Sequence, residues 1–182
     1  MDGDQTTASK LLSFVLRHRP EAIGLILDSE GWASIAELIR LANEHGHKLS
    51  RDLIEAVVRT SDKQRFAISA DRQRIRANQG HSIAVALGLE ALKPPELLFH
   101  GTAERFLSSI QSEGLSRRSR NYVHLSADAE TATRVGQRHG TPVVLVVAAT
   151  RMWNSGFQFF QSENGVWLTN HVPVKYIQFA SR

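Results

Sequence analysis

The sequence predicts an α+β protein in two lobes, the first mostly helical and the second dominated by short strands in mixed or antiparallel sheets. Three observations support this. Apolar residues recur at helical spacing until about residue 60, and from RFAIS at 65–69 the period shortens to two. LKPPEL at 92–97 then separates the two regimes, because consecutive prolines neither continue a helix nor donate to a sheet, and they push Lys93 toward extended geometry. The expected lobes are 1–93 and 94–182.

In the first lobe, Leu11, Leu12, Val15 and Leu16, with Phe14 alongside, mark a helix that Pro20 stops near His18. Ser34-Ile35-Ala36-Glu37 is a capping box, in which the serine oxygen and the glutamate each reach an orphan backbone donor. It opens a helix running to about Asn43. Ser50 caps a third helix that carries Leu53, Ile54, Val57 and Val58 inward. RFAIS, the polar turn ADRQ and RIRA then form a hairpin. Three helices followed by a two-stranded wing is the winged-helix plan, which commonly meets nucleic acid.

In the second lobe, LLFHGT, YVHLS, VVLVVAA, GVWLT and VKYIQFA read as strands, with helices at Glu104 to Gly114 and Ala127 to His139. No GxGxxG follows a strand and no GxxxxGK[ST] loop occurs, which disfavours a Rossmann domain or a P-loop ATPase.

Composition narrows the chemistry. With no cysteines there are no disulfides, thiolate metal ligands or cysteine nucleophile. The eight histidines contain no HxxxH, and His45 and His47 flank a glycine at a helix end, so no metal is expected. VVLVVAA is far shorter than the roughly 20 apolar residues a membrane helix needs, and MDGDQTTASK does not resemble a signal sequence, so a cytoplasmic location and no membrane partner are expected. Nothing reads as a coiled coil or a large apolar face, which favours a monomer and leaves the oligomeric state open. The formal charge of +4 suits a polyanionic partner without establishing one. Its distribution is uneven: residues 48–76 hold eight Lys/Arg against four acids, and Arg117, Arg118 and Arg120 form a second cluster.

Five stretches can carry chemistry. LRHRP at 16–20 is either basic decoration facing a helix dipole or part of an anion site; a phosphate monoester needs several cationic donors, so Arg17 and His18 require company. Arg65, at the head of a strand in DKQRF, is a second arm or a solvated residue. LLFHGT ends an apolar strand in His100, Gly101 and Thr102, where glycine permits close approach and a corner can offer backbone groups to a ligand. In RSRNYVHLSAD, Arg120, His124 and Ser126 fall at even spacing and share one face of a strand, with Val123 and Leu125 on the other; Ser126 can instead cap the helix at Ala127. ENGVWLT is a tight turn feeding a buried strand.

In this order, LRHRP, DKQRF, HGT, R-x-x-VHLS and ENGVWLT resemble the RNA (tRNA) 2′-phosphotransferase family in its bacterial, KptA-like form, over about residues 10 to 180. The resemblance implies a winged-helix RNA lobe, an ADP-ribosyltransferase lobe, and NAD consumed as co-substrate to remove a 2′-phosphate left at an RNA splice junction. It implies that Arg17, His18, Arg65 and Arg120 form one catalytic cluster drawn from both lobes. It also implies that His100, Gly101 and Thr102 hold the NAD riboses and carboxamide, that His124 and Ser126 lie on the nicotinamide side, and that Val166 stands where protein-modifying transferases carry a glutamate. Valine suits a nucleophile that is already anionic, since a carboxylate would repel it. Glu163 belongs to the turn before that strand, and Arg19, Arg117 and Arg118 are expected in solvated or RNA-backbone roles. Two alternatives stand beside this reading: an ADP-ribosyltransferase acting on a terminal nucleic-acid phosphate or a protein, and a non-enzymatic winged-helix regulator.

Overall fold

A computed structural model describes residues 3–61 and 63–179. The chain divides into two compact units, 1–88 and 89–182. This division precedes the boundary expected at Pro94, for a reason visible in the backbone. Between residues 78 and 97 there is no regular helix or strand. The N–H groups of Ser82 and Ala86 donate to the carbonyls of Arg17 and Ser29, whereas that of Leu92 donates to Phe159. The prolines therefore lie inside the second unit's own strap.

The first unit opens with α1 (Gly3–Arg17), whose Leu12, Val15 and Leu16 are fully buried. A 3₁₀ turn at Pro20–Ile23 follows. β1 (Ala33–Ser34) leads directly into α2 (Ile35–Glu44). Ser34 Oγ accepts the Glu37 N–H at 3.4 Å, which is half of the expected capping box. The other half is not formed: the Glu37 carboxylate pairs with Arg40, whose Nε–H donates to it at 3.1 Å, and Ser34 itself pairs with Arg74 in a sheet. α3 (Arg51–Thr60) is capped by Ser50, whose Oγ accepts the Leu53 N–H at 3.2 Å. β2 (Phe66–Ile68) and β3 (Arg74–Ala77) make the expected hairpin, in register Phe66 opposite Ala77, and β1 completes a three-stranded antiparallel sheet in the order β1-β3-β2. Ile35, Leu38, Ile54, Phe66 and Ile75 join α1 in one core. The hairpin's Arg74 and Arg76 guanidinium groups lie over the Trp32 ring, 5.4 and 4.6 Å from its centroid.

The second unit is built on β4 (Leu98–Ala103), followed by a 3₁₀ turn, α4 (Leu107–Glu113) and β5 (Leu115–Ser116). Next come β6 (Val123–Leu125), α5 (Ala129–Gly136), β7 (Pro142–Val147) and α6 (Ala149–Asn154). The chain closes with β8 (Phe160–Gln161), β9 (Trp167–Thr169), β10 (His171–Val172) and β11 (Ile177–Gln178). All pairings are antiparallel among the described residues: β11-β7-β4, β6-β9-β8 and the pair β10-β5. The protein is thus α+β with small antiparallel sheets. Its second core gathers Leu98, Leu125, Leu145, Met152, Phe159 and Leu168.

Several expectations shift here. VVLVVAA is a strand only to Val147, because its two alanines turn the chain into α6, an element the apolar run concealed. In VKYIQFA, Val174–Tyr176 form a 3₁₀ turn and only Ile177–Gln178 pair with β7; Ala180 lies outside the described residues. Helix α5 starts later than Ala127, capped by Asp128, whose Oδ1 accepts the Thr131 N–H at 2.7 Å. Ser126 is therefore not the cap. Among the described residues no helix is long and apolar enough to cross a membrane.

Candidate functional site

In the first unit, three of the sequence-predicted site residues converge where α1 ends. The periodic apolar run stops at Leu16, so Arg17 is the last helical residue and His18 falls in the turn, its N–H donating to the Phe14 carbonyl at 3.1 Å. The Arg17 guanidinium donates from Nη2 to the Arg65 carbonyl at 3.2 Å and lies over the Phe66 ring at 5.6 Å. These contacts tie the helix end to the head of β2, where Arg65 is half-buried. His18, Arg65 and Phe14 line one groove of about 460 Å³. A cationic groove with an imidazole at its wall suits a phosphate monoester.

A third segment completes this corner and was missed in the sequence. In NQGHS at 78–82, the Ser82 N–H donates to the Arg17 carbonyl at 2.9 Å, and its hydroxyl lies 2.9 Å from His18 Nδ1. Asn78 donates from its backbone to the Arg65 carbonyl at 3.0 Å, sharing that acceptor with Arg17. His81 is almost fully buried, and burial together with the positive charges of Arg17, His18 and Arg76 holds its pKa down to about 4. His81 is therefore neutral at pH 7. The only signal in the sequence was a His-Ser pair following the last hairpin strand, with no periodicity to lift it above a loop.

In the second unit, β4 and β6 bring together the other candidates. Phe99 and Ser126 exchange backbone hydrogen bonds of 2.9 and 2.7 Å, so Ser126 works as a bridge between the two sheets. His100 Nδ1–H donates to the His124 carbonyl at 3.0 Å. Burial lowers the His100 pKa, with Arg120 and His139 acting in the same direction against that hydrogen bond. His100 is thus neutral with its proton on Nδ1, which leaves Nε2 as an acceptor for a hydroxyl. Arg120 departs from the expected face-sharing: it lies in the turn before β6, exposed, and reaches His124 with its side chain, Nη1 donating to Nδ1 at 3.3 Å. Extending the β6-β9 register beyond Leu125 opposite Trp167 sets Ser126 opposite Val166. Val166 is half-buried, and its carbonyl accepts the Ser162 N–H at 3.0 Å.

Gly101 has a different reason from the one expected. A Cβ there would sit 1.7 Å from the Ala132 carbonyl oxygen, so its bare Cα admits helix α5. Gly136 answers from the helix, where a Cβ would meet the Thr102 carbonyl oxygen at 2.6 Å. Thr102 is buried in this contact. Because Phe99 directs its N–H and C=O away from β7, the alternation of an antiparallel ladder sends those of Gly101 to the same edge, beyond Ser126. The glycine's backbone, if not its missing side chain, remains suited to a ligand. Among the described residues no three His, Asp or Glu side chains gather as a metal ion requires.

A basic corner able to meet an anion and a neutral imidazole able to accept from a hydroxyl are groups a transferase can use, and comparison with known proteins supplies the class. A model of the RNA 2′-phosphotransferase, Tpt1 / KptA family matches residues 3–171. A probable RNA 2′-phosphotransferase of Acaryochloris marina is 56% identical, the match covering 97% of both chains. One from Pseudomonas fluorescens is 58% identical over 93% of this chain and 94% of its own, and one from Escherichia coli O9:H4 is 54% identical over 94% of each. The chain belongs to the RNA 2′-phosphotransferase, Tpt1 / KptA family and is a transferase.

Proposed function

We propose that this chain removes an internal 2′-phosphate from RNA in two steps that consume NAD. First, a phosphate oxygen attacks C1″ of the nicotinamide ribose; the glycosidic C–N bond breaks and nicotinamide leaves with the bonding pair. The RNA then carries an ADP-ribosylated 2′-phosphate. Second, the ribose O2″ attacks phosphorus, the P–O2′ bond breaks, and the products are 2′-OH RNA and ADP-ribose 1″,2″-cyclic phosphate. No hydride moves.

The observation that carries this reading is the coupled corner of Arg17, His18 and Arg65, because the second step needs both cationic donors and an acid. Arg17 and Arg65 clamp the RNA phosphate. His18 protonates the departing O2′, since a bound phosphate favours its charged form. Arg120 stabilises the transferred phosphate, and its hydrogen bond to His124 supports that position. His100 takes a ribose hydroxyl through Nε2, while the Gly101 backbone and Thr102 complete the sugar and carboxamide contacts. His124 and Ser126 flank the nicotinamide, and Val166 offers the anionic nucleophile no repelling carboxylate. The winged-helix character of the first unit, with its three helices and a hairpin, suits RNA; the second unit has the role of an ADP-ribosyltransferase lobe. A splice-derived RNA in the cytoplasm, with no metal required, is the corresponding setting.

His18→Ala tests the acid. With NAD and a 2′-phosphorylated oligonucleotide, the variant should release nicotinamide and accumulate ADP-ribosylated RNA. Turnover at the parent rate without that intermediate would remove His18 from the chemistry.

A further inference from the structure

Phe14 sits on the polar flank of α1 with 47% of its surface exposed, while its neighbours Val15 and Leu16 are fully buried. It lies one helical turn before His18, whose N–H bonds its carbonyl. The ring forms part of the 460 Å³ groove that also contains His18 and Arg65, and Lys10 and Ser13 add polar groups to the same wall. That volume falls in the range of about 300–1,000 Å³ typical of small-molecule pockets. Among the described residues no carboxylate lines the groove. An aromatic face beside cations in a concave site is the combination that holds one nucleotide: base on ring, phosphate on the basic groups.

We infer that this groove is a nucleobase pocket in which the Phe14 ring stacks on the base of the ribonucleotide that carries the 2′-phosphate. The inference rests on the assignment of His18 and Arg65 to that phosphate. Four residues, about 6 Å of helix axis, separate Phe14 from His18, matching the short reach from a ribose 2′-phosphate to the base on the same sugar. Stacking is tolerant of base identity, so the pocket fixes the nucleotide without reading sequence. Lys10 adds backbone electrostatics, and Ser13 offers a hydroxyl to a base edge.

The test uses the full chain with NAD and two sets of 2′-phosphorylated oligonucleotides, one intact and one abasic either at the phosphorylated nucleotide or at its 3′ neighbour. Binding is followed by fluorescence anisotropy alongside turnover. Phe14→Ala should weaken binding of intact RNA by roughly 10- to 100-fold, the loss expected for one stacked base. Phe14→Trp should retain binding, Phe14→Leu should not, and the KM for NAD should stay constant. The abasic change at the phosphorylated nucleotide should cost the parent the same factor and cost Phe14→Ala nothing further. Independent, multiplying losses would overturn the pocket, as would a loss confined to the 3′ neighbour or a shift in the KM for NAD. If the parent bound RNA with this pattern yet turned none over, the pocket would stand and the proposed reaction would fall.

Discussion

The hydroxyl of Ser82 lies 2.9 Å from Nδ1 of His18, on a segment whose backbone is also bonded to the Arg17 carbonyl. A serine oxygen can accept from Nδ1–H whether the imidazole is neutral or charged, so in the proposed reaction Nε2 would be the atom that gives its proton to the leaving oxygen. Ser82→Ala should lower turnover about 10- to 100-fold through loss of orientation, leave the KM for NAD unmoved, and displace the limb of the pH profile that reports His18. Ser82→Thr should restore most of the rate. An unchanged profile in Ser82→Ala would make the contact structural only.

Arg65 contributes two things: its carbonyl anchors Arg17 and Asn78, and the residue lines the groove, where the proposed reaction needs its guanidinium. Arg65→Ala keeps the carbonyl. It should therefore fold normally and lose on the order of 10²–10³ in rate, the usual cost of one electrostatic donor. Arg17→Lys discards both the Nη2 hydrogen bond to the Arg65 carbonyl and the guanidinium contact with Phe66, so it should lower thermal stability as well as rate. Equal melting temperatures for the two variants would contradict this division.

Gly101 and Gly136 are where β4 meets α5. Gly101→Ala drives a methyl into the Ala132 carbonyl, a backbone atom with nowhere to go, and should cost about 3 kcal/mol or prevent soluble expression. Denaturant unfolding measures it, and a parent-like midpoint would show that the helix can withdraw.

His81 should make the first unit acid-sensitive. Its folded pKa of about 4 lies below the ordinary 6.5, so between those values the unfolded chain binds a proton the folded chain refuses, and stability falls as pH falls. The loss across this window should be about 3 kcal/mol. His81→Leu should flatten that part of the pH dependence, as read from urea midpoints at pH 7 and pH 5. A slope identical to the parent's would assign the sensitivity to other groups.

Most of this was legible wherever a local pattern coincided with a physical need. The helix ending at Arg17, the serine caps at Ser34 and Ser50, the 66–77 hairpin and the β4 strand all follow from periodicity and capping chemistry. Helix α6 was hidden because alanines continue an apolar strand as readily as they begin a helix. The Ser82 contact was hidden because it is made at a distance of 64 residues by a segment with no secondary structure, and only tertiary folding brings it to His18. Gly101 was recognised as a close approach, but its packing against helix α5 was not, since the sequence does not say which neighbours come near.

The most direct test is mass analysis of a reaction containing the parent protein, NAD and an oligonucleotide with one internal 2′-phosphate. The account predicts a 2′-OH oligonucleotide, free nicotinamide and ADP-ribose 1″,2″-cyclic phosphate in equal amounts. An oligonucleotide that keeps its phosphate, or loses it as inorganic phosphate with NAD intact, would contradict it.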